Sequence, residues 1–191
     1  QGDLYLAADS GYLDDANERG WIAERFEIAN LTPGFVVSAG NPQNLSGTAD
    51  LAEREGLRIG LGNPDAAAIG KITRGVLQDA GLWDEVEPRV TVFKPTVNEL
   101  VTDVKLGTID VAVGWDAVVG LVEGLEFVST PEFAAAKRTV SLAVLSSSRH
   151  SVASLHFARF LAASDRGAQV FARHGFAVLP GDPWTDQPEL V

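Results

Sequence analysis

The sequence predicts an α/β fold of two lobes, and three observations predict it. Short apolar strand-like runs alternate with amphipathic helix-like runs, which argues for strand–helix units in parallel sheets with right-handed crossovers. One stretch, LRIGLGNPDAAAIGKITRGVLQDAGL (57–82), holds a whole unit. It has an alternating strand, a Gly-Asn-Pro turn, a helix with Ile69, Ile72, Val76 and Ala80 at helical spacing, and Gly81 as its stop. Finally, two long apolar strand candidates, 32–39 and 139–145, bracket a self-contained βαβαβ block. Taken as crossings, they divide the chain into an outer lobe (1–36 plus 143–191) and an inserted lobe (37–142), with a ligand cleft expected between them.

In chain order, 2–9 (GDLYLAAD) reads as a strand, Leu4, Leu6 and Ala8 alternating with Tyr5 and Ala7. A chain that starts at once on a buried-looking strand predicts further sequence upstream. Residues 11–19 read as a helix with Tyr12, Leu13 and Ala16 on one face, stopped by Gly20. A Pro-Gly turn enters the strand 32–39, and Gly40-Asn41-Pro42 breaks it. A short helix at 51–55 is expected to be capped by Ser46 or Thr48. After 57–82 come a strand at 89–93, a helix from Thr96 to Gly107, a buried strand at 109–115 and a helix at 116–123. Strands at 126–129 and 139–145 follow, then the break SSSRHS and helices at 152–163 and 165–174, the second stopped by Gly175. The tail, 180–191, holds three prolines and reads as extended, pinned by Trp184.

With 191 residues the chain can bury a sizeable core, and 46% hydrophobic against 21% charged residues suits a globular protein. No apolar run approaches the roughly 18 residues of a membrane helix, so the chain is not expected to be membrane-embedded. The opening residues lack a basic-then-apolar leader pattern, so any secretion signal lies outside this chain. The absence of cysteine excludes disulfides and thiolate metal sites. A net charge of −11 without a basic patch repels a phosphate backbone, so no nucleic-acid partner is expected.

Three short segments could carry binding chemistry. The helix starting near Ala68 has only small or neutral side chains in its first turn. Free N–H groups and the positive end of the helix dipole there suit an anion, although the same features suit an ordinary βα unit. Thr96-Val97-Asn98-Glu99 reads as a capping box. The Thr96 hydroxyl accepts the Glu99 N–H, and Glu99 reaches back to the Thr96 N–H. That leaves the Val97 and Asn98 N–H groups for an oxyanion or for water. Gly114-Trp115-Asp116 ends a strand. Trp115 offers one donor and no acceptor, and equally suits a core or rim position. Asp116 is expected to turn away, onto a backbone N–H. No catalytic residue is expected: there is no G-x-S-x-G elbow and no Walker motif. His150, His156 and His174 are scattered without the i, i+4 pairing of a zinc-binding helix, so no metal site is expected either.

The segments GNPQNLSGTADLAEREGLRIGLGNPDAAAIGKITRGVLQDAGLWDEV, TVNELVTDVKLGTIDVAVGWDAV and FARFLAASDRGAQVFARHGF, in that order, resemble the molybdate/tungstate-binding proteins of bacterial ABC importers. These are extracytoplasmic receptors of the type II periplasmic-binding fold, and the resemblance runs over residues 3–176. It implies a periplasmic or cell-surface protein that is not an enzyme and needs no cofactor. Such a protein closes on molybdate or tungstate and docks on a membrane permease. Matched residue by residue, the family's amide donors fall at Ile69, beside Ala68, and at Val97, beside Asn98. Its tyrosine falls at Trp115, where an indole N–H replaces the phenol, and two residues usual before the following Asp-Ala are missing. The family's opening strand and helix, with two serines, are not in this chain. Ser10 lies near the right end of its strand and matches neither. The ligand set expected is therefore Ser10, Ala68, Ile69, Val97, Asn98 and Trp115. The alternative is a cytosolic effector-sensing domain of a transcription regulator on the same fold, binding a small organic anion.

Overall fold

The computed structural model describes residues 2–184. In chain order its elements are β1 (Leu4–Ala7), α1 (Gly11–Glu18), β2 (Ile22–Leu31), β3 (Pro33–Ser38), α2 (Ala49–Glu53), β4 (Ile59–Gly62), α3 (Ala68–Asp79), α4 (Trp83–Val86) and β5 (Val90–Lys94). There follow α5 (Val97–Lys105), β6 (Val111–Trp115), α6 (Asp116–Val119), β7 (Leu125–Val128), α7 (Pro131–Ala135), β8 (Arg138–Leu145), α8 (Ser151–Ala162), α9 (Gly167–Arg173) and β9 (Ala177–Val178). The chain forms two units. Unit 1 takes the chain up to Leu31 and again from Arg138, and unit 2 is Thr32–Lys137. The boundaries thus lie at 31/32 and 137/138, where 36/37 and 142/143 were expected. Neither expected crossing strand is shared: β3 pairs only in the sheet of unit 2, and β8 only in that of unit 1.

The sheet of unit 1 has the order β1-β8-β2-β9 and is antiparallel throughout, which corrects the expectation of parallel sheets. Strand direction depends on where each connection lands, which no local pattern carries. β8 is paired on both sides, and its run from Val140 to Val144 is at most 3% exposed. β2 has no counterpart in the sequence reading. Two register shifts, at Ile22/Glu24 and Glu27/Ala29, change its inside–outside phase, so simple alternation fails. Its charges are paired: Arg25 with Asp14 at 2.5 Å and Glu27 at 3.5 Å, Glu24 with Arg159 at 3.6 Å. At the C-terminal end, Trp184 packs on His156 and Phe160, at 4.8 and 5.6 Å between ring centroids. It also donates its N–H to Asp165 at 2.6 Å, as the expected pinning requires. The rest of the expected extended tail, 185–191, lies outside the described residues.

The sheet of unit 2 has the order β5-β4-β6-β3-β7. β4 is parallel to β5 and β6, and β3 is antiparallel to β6 and β7. Both faces are covered, so its inner strands are apolar on both sides. On one face Phe35, Ile59, Leu61 and Leu77 pack with Trp83 and Phe133; the Phe35 and Phe133 rings meet edge-on at 5.7 Å. On the other, Val36 and Ala112 pack with Leu100, Val101 and Val104 of α5. The helix α2 is not capped as expected. Thr48 already has helical backbone angles and makes no cap bond, while the Asp50 carboxylate accepts the Ser46 and Gly47 N–H groups at 2.7 and 3.1 Å. α6 ends at Val119, short of the expected 123. Among the described residues, no helix is long and apolar enough to cross a membrane.

Candidate functional site

Three neighbouring parallel strands, β5, β4 and β6, end on the same edge of the unit 2 sheet, and each runs into a helix start. In open α/β sheets this is the edge where ligands collect. It gathers five of the expected residues: Ala68 and Ile69 after β4, Val97 and Asn98 after β5, and Trp115 closing β6.

Asn63 shapes the turn from β4 into α3. Its N–H reaches the Lys94 carbonyl at 2.8 Å, its side-chain oxygen accepts the Asp65 N–H at 2.9 Å, and its carbonyl accepts the Ala67 N–H at 2.9 Å. The helical ladder begins with Lys71 N–H on the Ala67 carbonyl at 3.0 Å. The N–H groups of Ala68, Ile69 and Gly70 therefore have no protein acceptor among the described residues. Ile69 buries its side chain and Ala68 is exposed, so what this turn offers is backbone. α3 sits this close because Gly70 lacks a side chain: a Cβ there would lie 2.3 Å from the Asn63 oxygen and 2.5 Å from that of Gly62.

At α5, Thr96 is extended (φ −132°, ψ 150°) and its hydroxyl oxygen accepts the Glu99 N–H at 3.3 Å. The reciprocal half differs from expectation. Glu99 accepts a hydrogen bond from the Thr96 hydroxyl at 2.9 Å in place of one from the Thr96 N–H. The Val97 and Asn98 N–H groups are left without protein acceptors among the described residues. Val97 is half-buried, and the approach of α5 to β6 again needs a glycine. A Cβ on Gly114 would lie 2.7 Å from Val36 Cγ2 and 3.2 Å from Val97 Cγ1.

Trp115 stands opposite Pro33 and packs its ring partly on the Phe35 and Phe133 cluster. Its indole N–H has no acceptor among the described residues. Asp116 turns onto backbone N–H groups as expected, accepting from Thr32 at 3.1 Å and Ala117 at 2.8 Å. Two cations bordering the turns are paired, Lys94 with Asp103 at 3.1 Å and Arg74 with Asp65 at 3.0 Å, while Lys71 of α3 is exposed and forms no ion pair among the described residues. The backbone and indole N–H groups left free on this edge are neutral donors, suited to a ligand that accepts hydrogen bonds. Ser10 belongs to unit 1, at the N-cap position of α1, and its hydroxyl makes no cap bond. The cap there is Asp9, which accepts the Gly11 N–H at 2.9 Å and pairs with Arg138 at 3.1 Å. Among the described residues no group of three His, Cys, Asp or Glu could hold a metal ion.

A profile of bacterial extracellular solute-binding proteins matches residues 1–177. Several solved structures share the fold, which is that of the type II periplasmic binding proteins. One is a substrate-binding domain from Clostridium difficile assigned to a molybdenum ABC transporter, with 20% identity, TM-score 0.76, and coverage of 93% of this chain and 77% of that one. Another is the periplasmic molybdate-binding protein of Azotobacter vinelandii, with 18% identity, TM-score 0.70, and coverage of 94% and 79%. A third is iron-bound HitA of Pseudomonas aeruginosa, with 16% identity, TM-score 0.72, and coverage of 94% and 69%. No curated protein sequence matches this chain significantly.

Proposed function

This chain belongs to the bacterial extracellular solute-binding protein family, and from that premise we propose that it is the exported receptor of an ABC importer for a tetrahedral oxyanion, molybdate or tungstate. The observation that carries this reading is the pair of helix starts, α3 and α5, whose first N–H groups are free on the one sheet edge where β6 ends at Trp115. An anion there gains from N–H donors fixed in advance and from two helix dipoles. In this reading Ala68, Ile69, Val97 and Asn98 contribute backbone, and Trp115 contributes its indole. The molybdate and molybdenum-transporter neighbours support the choice of anion, and the family match favours a receptor over the effector-sensing alternative. A membrane permease is the partner that the proposed importer role requires.

The test separates donor from scaffold. Proline is tolerated at the first position of a helix, and Thr96 already has the extended backbone that precedes proline comfortably. Val97→Pro therefore removes one N–H and keeps α5. The wild type should be stabilised by molybdate or tungstate in a thermal melt, as a native-state ligand requires, and V97P should bind about tenfold more weakly with its unliganded melting temperature little changed. Stabilisation by phosphate or an organic acid in place of either metal oxyanion would overturn the ligand assignment.

A further inference from the structure

One bridge at this edge belongs to neither helix start. The Asp116 Oδ1 atom accepts the Thr32 N–H at 3.1 Å, while the Asp116 N–H donates to the Thr32 carbonyl at 3.0 Å. The same oxygen accepts the Ala117 N–H at 2.8 Å. One residue thus ties the first residue of unit 2 to the first turn of α6. Bonds to a carboxylate are roughly twice as strong as neutral ones, and both partners are only half exposed to water. Trp115 stands opposite Pro33 in a non-hydrogen-bonded pair of the antiparallel ladder, next to the hydrogen-bonded pair of Thr32 and Asp116. At that pair the Thr32 N–H goes to the Asp116 side chain, so the carboxylate closes the ladder one residue beyond Trp115.

We propose that Asp116 is a positioning residue: it locks Thr32 to the start of α6 and so fixes Trp115, between strand and helix, with its indole N–H available at the strand-end edge. The lock also explains how a carboxylate is tolerated beside donors meant for an anion. Two N–H groups share its oxygen, which offsets part of its field and holds it in place. The ligand part of this inference rests on the oxyanion reading above; the lock does not.

Asp116→Asn keeps an acceptor oxygen for both N–H groups, and Asp116→Ala removes it. Amide exchange of the unliganded protein, followed by NMR, should speed up about tenfold or more at Thr32 and Ala117 in D116A, with the core amide of Val113 unchanged. In D116N it should stay within about threefold of wild type. Molybdate should bind D116A about tenfold more weakly, and D116N at least as tightly as wild type, since one negative charge is gone. Wild-type exchange at Thr32 and Ala117 in D116A would overturn the lock, as would a D116N that is as damaged as D116A. If D116A does not fold, rescue by D116N supports the lock and its failure overturns it. If wild type binds no molybdate, the oxyanion reading falls while the exchange data still decide the lock.

Discussion

The two units bury different kinds of residue. Unit 2 encloses large side chains: Phe35, Phe133, Leu51, Ile59, Leu77 and Leu100 have no exposed surface. The described part of unit 1 buries no aromatic ring; its enclosed residues include Leu13, Ile28, Leu142 and Val144 together with Ala29, Ala143 and Ala158. It leaves several large apolar side chains in water, including Tyr12 and Trp21 at 56% exposure and Phe157 at 49%. Each buried aromatic ring stabilises far more than a buried alanine, so the free donors sit on the unit with the deeper core. The lesson is about stiffness. N–H groups that are to meet a ligand without rearranging need a scaffold that does not yield, and a close-packed two-faced sheet is such a scaffold.

The largest expected effect breaks this contrast directly. Phe133→Ala should cost about 3–5 kcal/mol in urea unfolding through the cavity it leaves, and Phe157→Ala within about 0.5 kcal/mol. Similar losses for both would show that the two units are equally dependent on their aromatic rings. Next is Gly70→Ala, which drives a methyl group into two backbone carbonyls and should cost about 3 kcal/mol. Gly75→Ala, on the same helix with open space around it, should gain about 0.5–1 kcal/mol. If both glycines behave alike, α3 is not held tightly against β4. Thr96→Ala should cost about 1 kcal/mol by loss of the cap and should fray the very turn that presents Val97, which chemical-shift changes at Val97 and Asn98 would report.

The smallest effect is in acid. Hydrogen bonds from the Arg58 guanidinium, at 2.5 and 3.0 Å, hold the Asp110 carboxyl below its ordinary value against a smaller opposing effect of burial. A group whose pKa is lower in the folded chain stabilises it above the ordinary carboxylate pKa, and that contribution is lost as pH falls through the lowered value. Asp110→Asn should therefore flatten the acid limb of the stability profile below about pH 4, and a D110N profile parallel to wild type would contradict it.

Much of unit 2 was legible before any coordinates. Ile69, Ile72 and Val76 at helical spacing mark α3, Thr96 with Glu99 marks the start of α5, and the run ending at Trp115 marks β6, because each rests on contacts within a few residues. The expectation that Asp116 would turn onto a backbone N–H also holds. Its partner was out of reach, since Thr32 lies 84 positions away. β2 was missed because Glu24, Arg25 and Glu27 interrupt its alternation and two bulges shift its phase. At α1 two neighbouring residues, Asp9 and Ser10, carry the same local capping signal, and only the fold decides that Asp9 takes the Gly11 N–H.

By itself, the sequence determined which groups could serve as donors: bare helix starts at Ala68 and Val97, a tryptophan with nothing to accept, and no cysteine or metal cluster to suggest other chemistry. These follow from side-chain identity and short-range capping. Only the tertiary structure decided that the donors share one edge, because that depends on β4 lying between β5 and β6 and parallel to both. It also decided that unit 1 is antiparallel, that Gly70 and Gly114 let helices approach strand ends, and that Asp116 reaches back to Thr32. Pairing and close approach join residues far apart in the chain, and their energy depends on which surfaces meet, which no stretch of sequence carries alone.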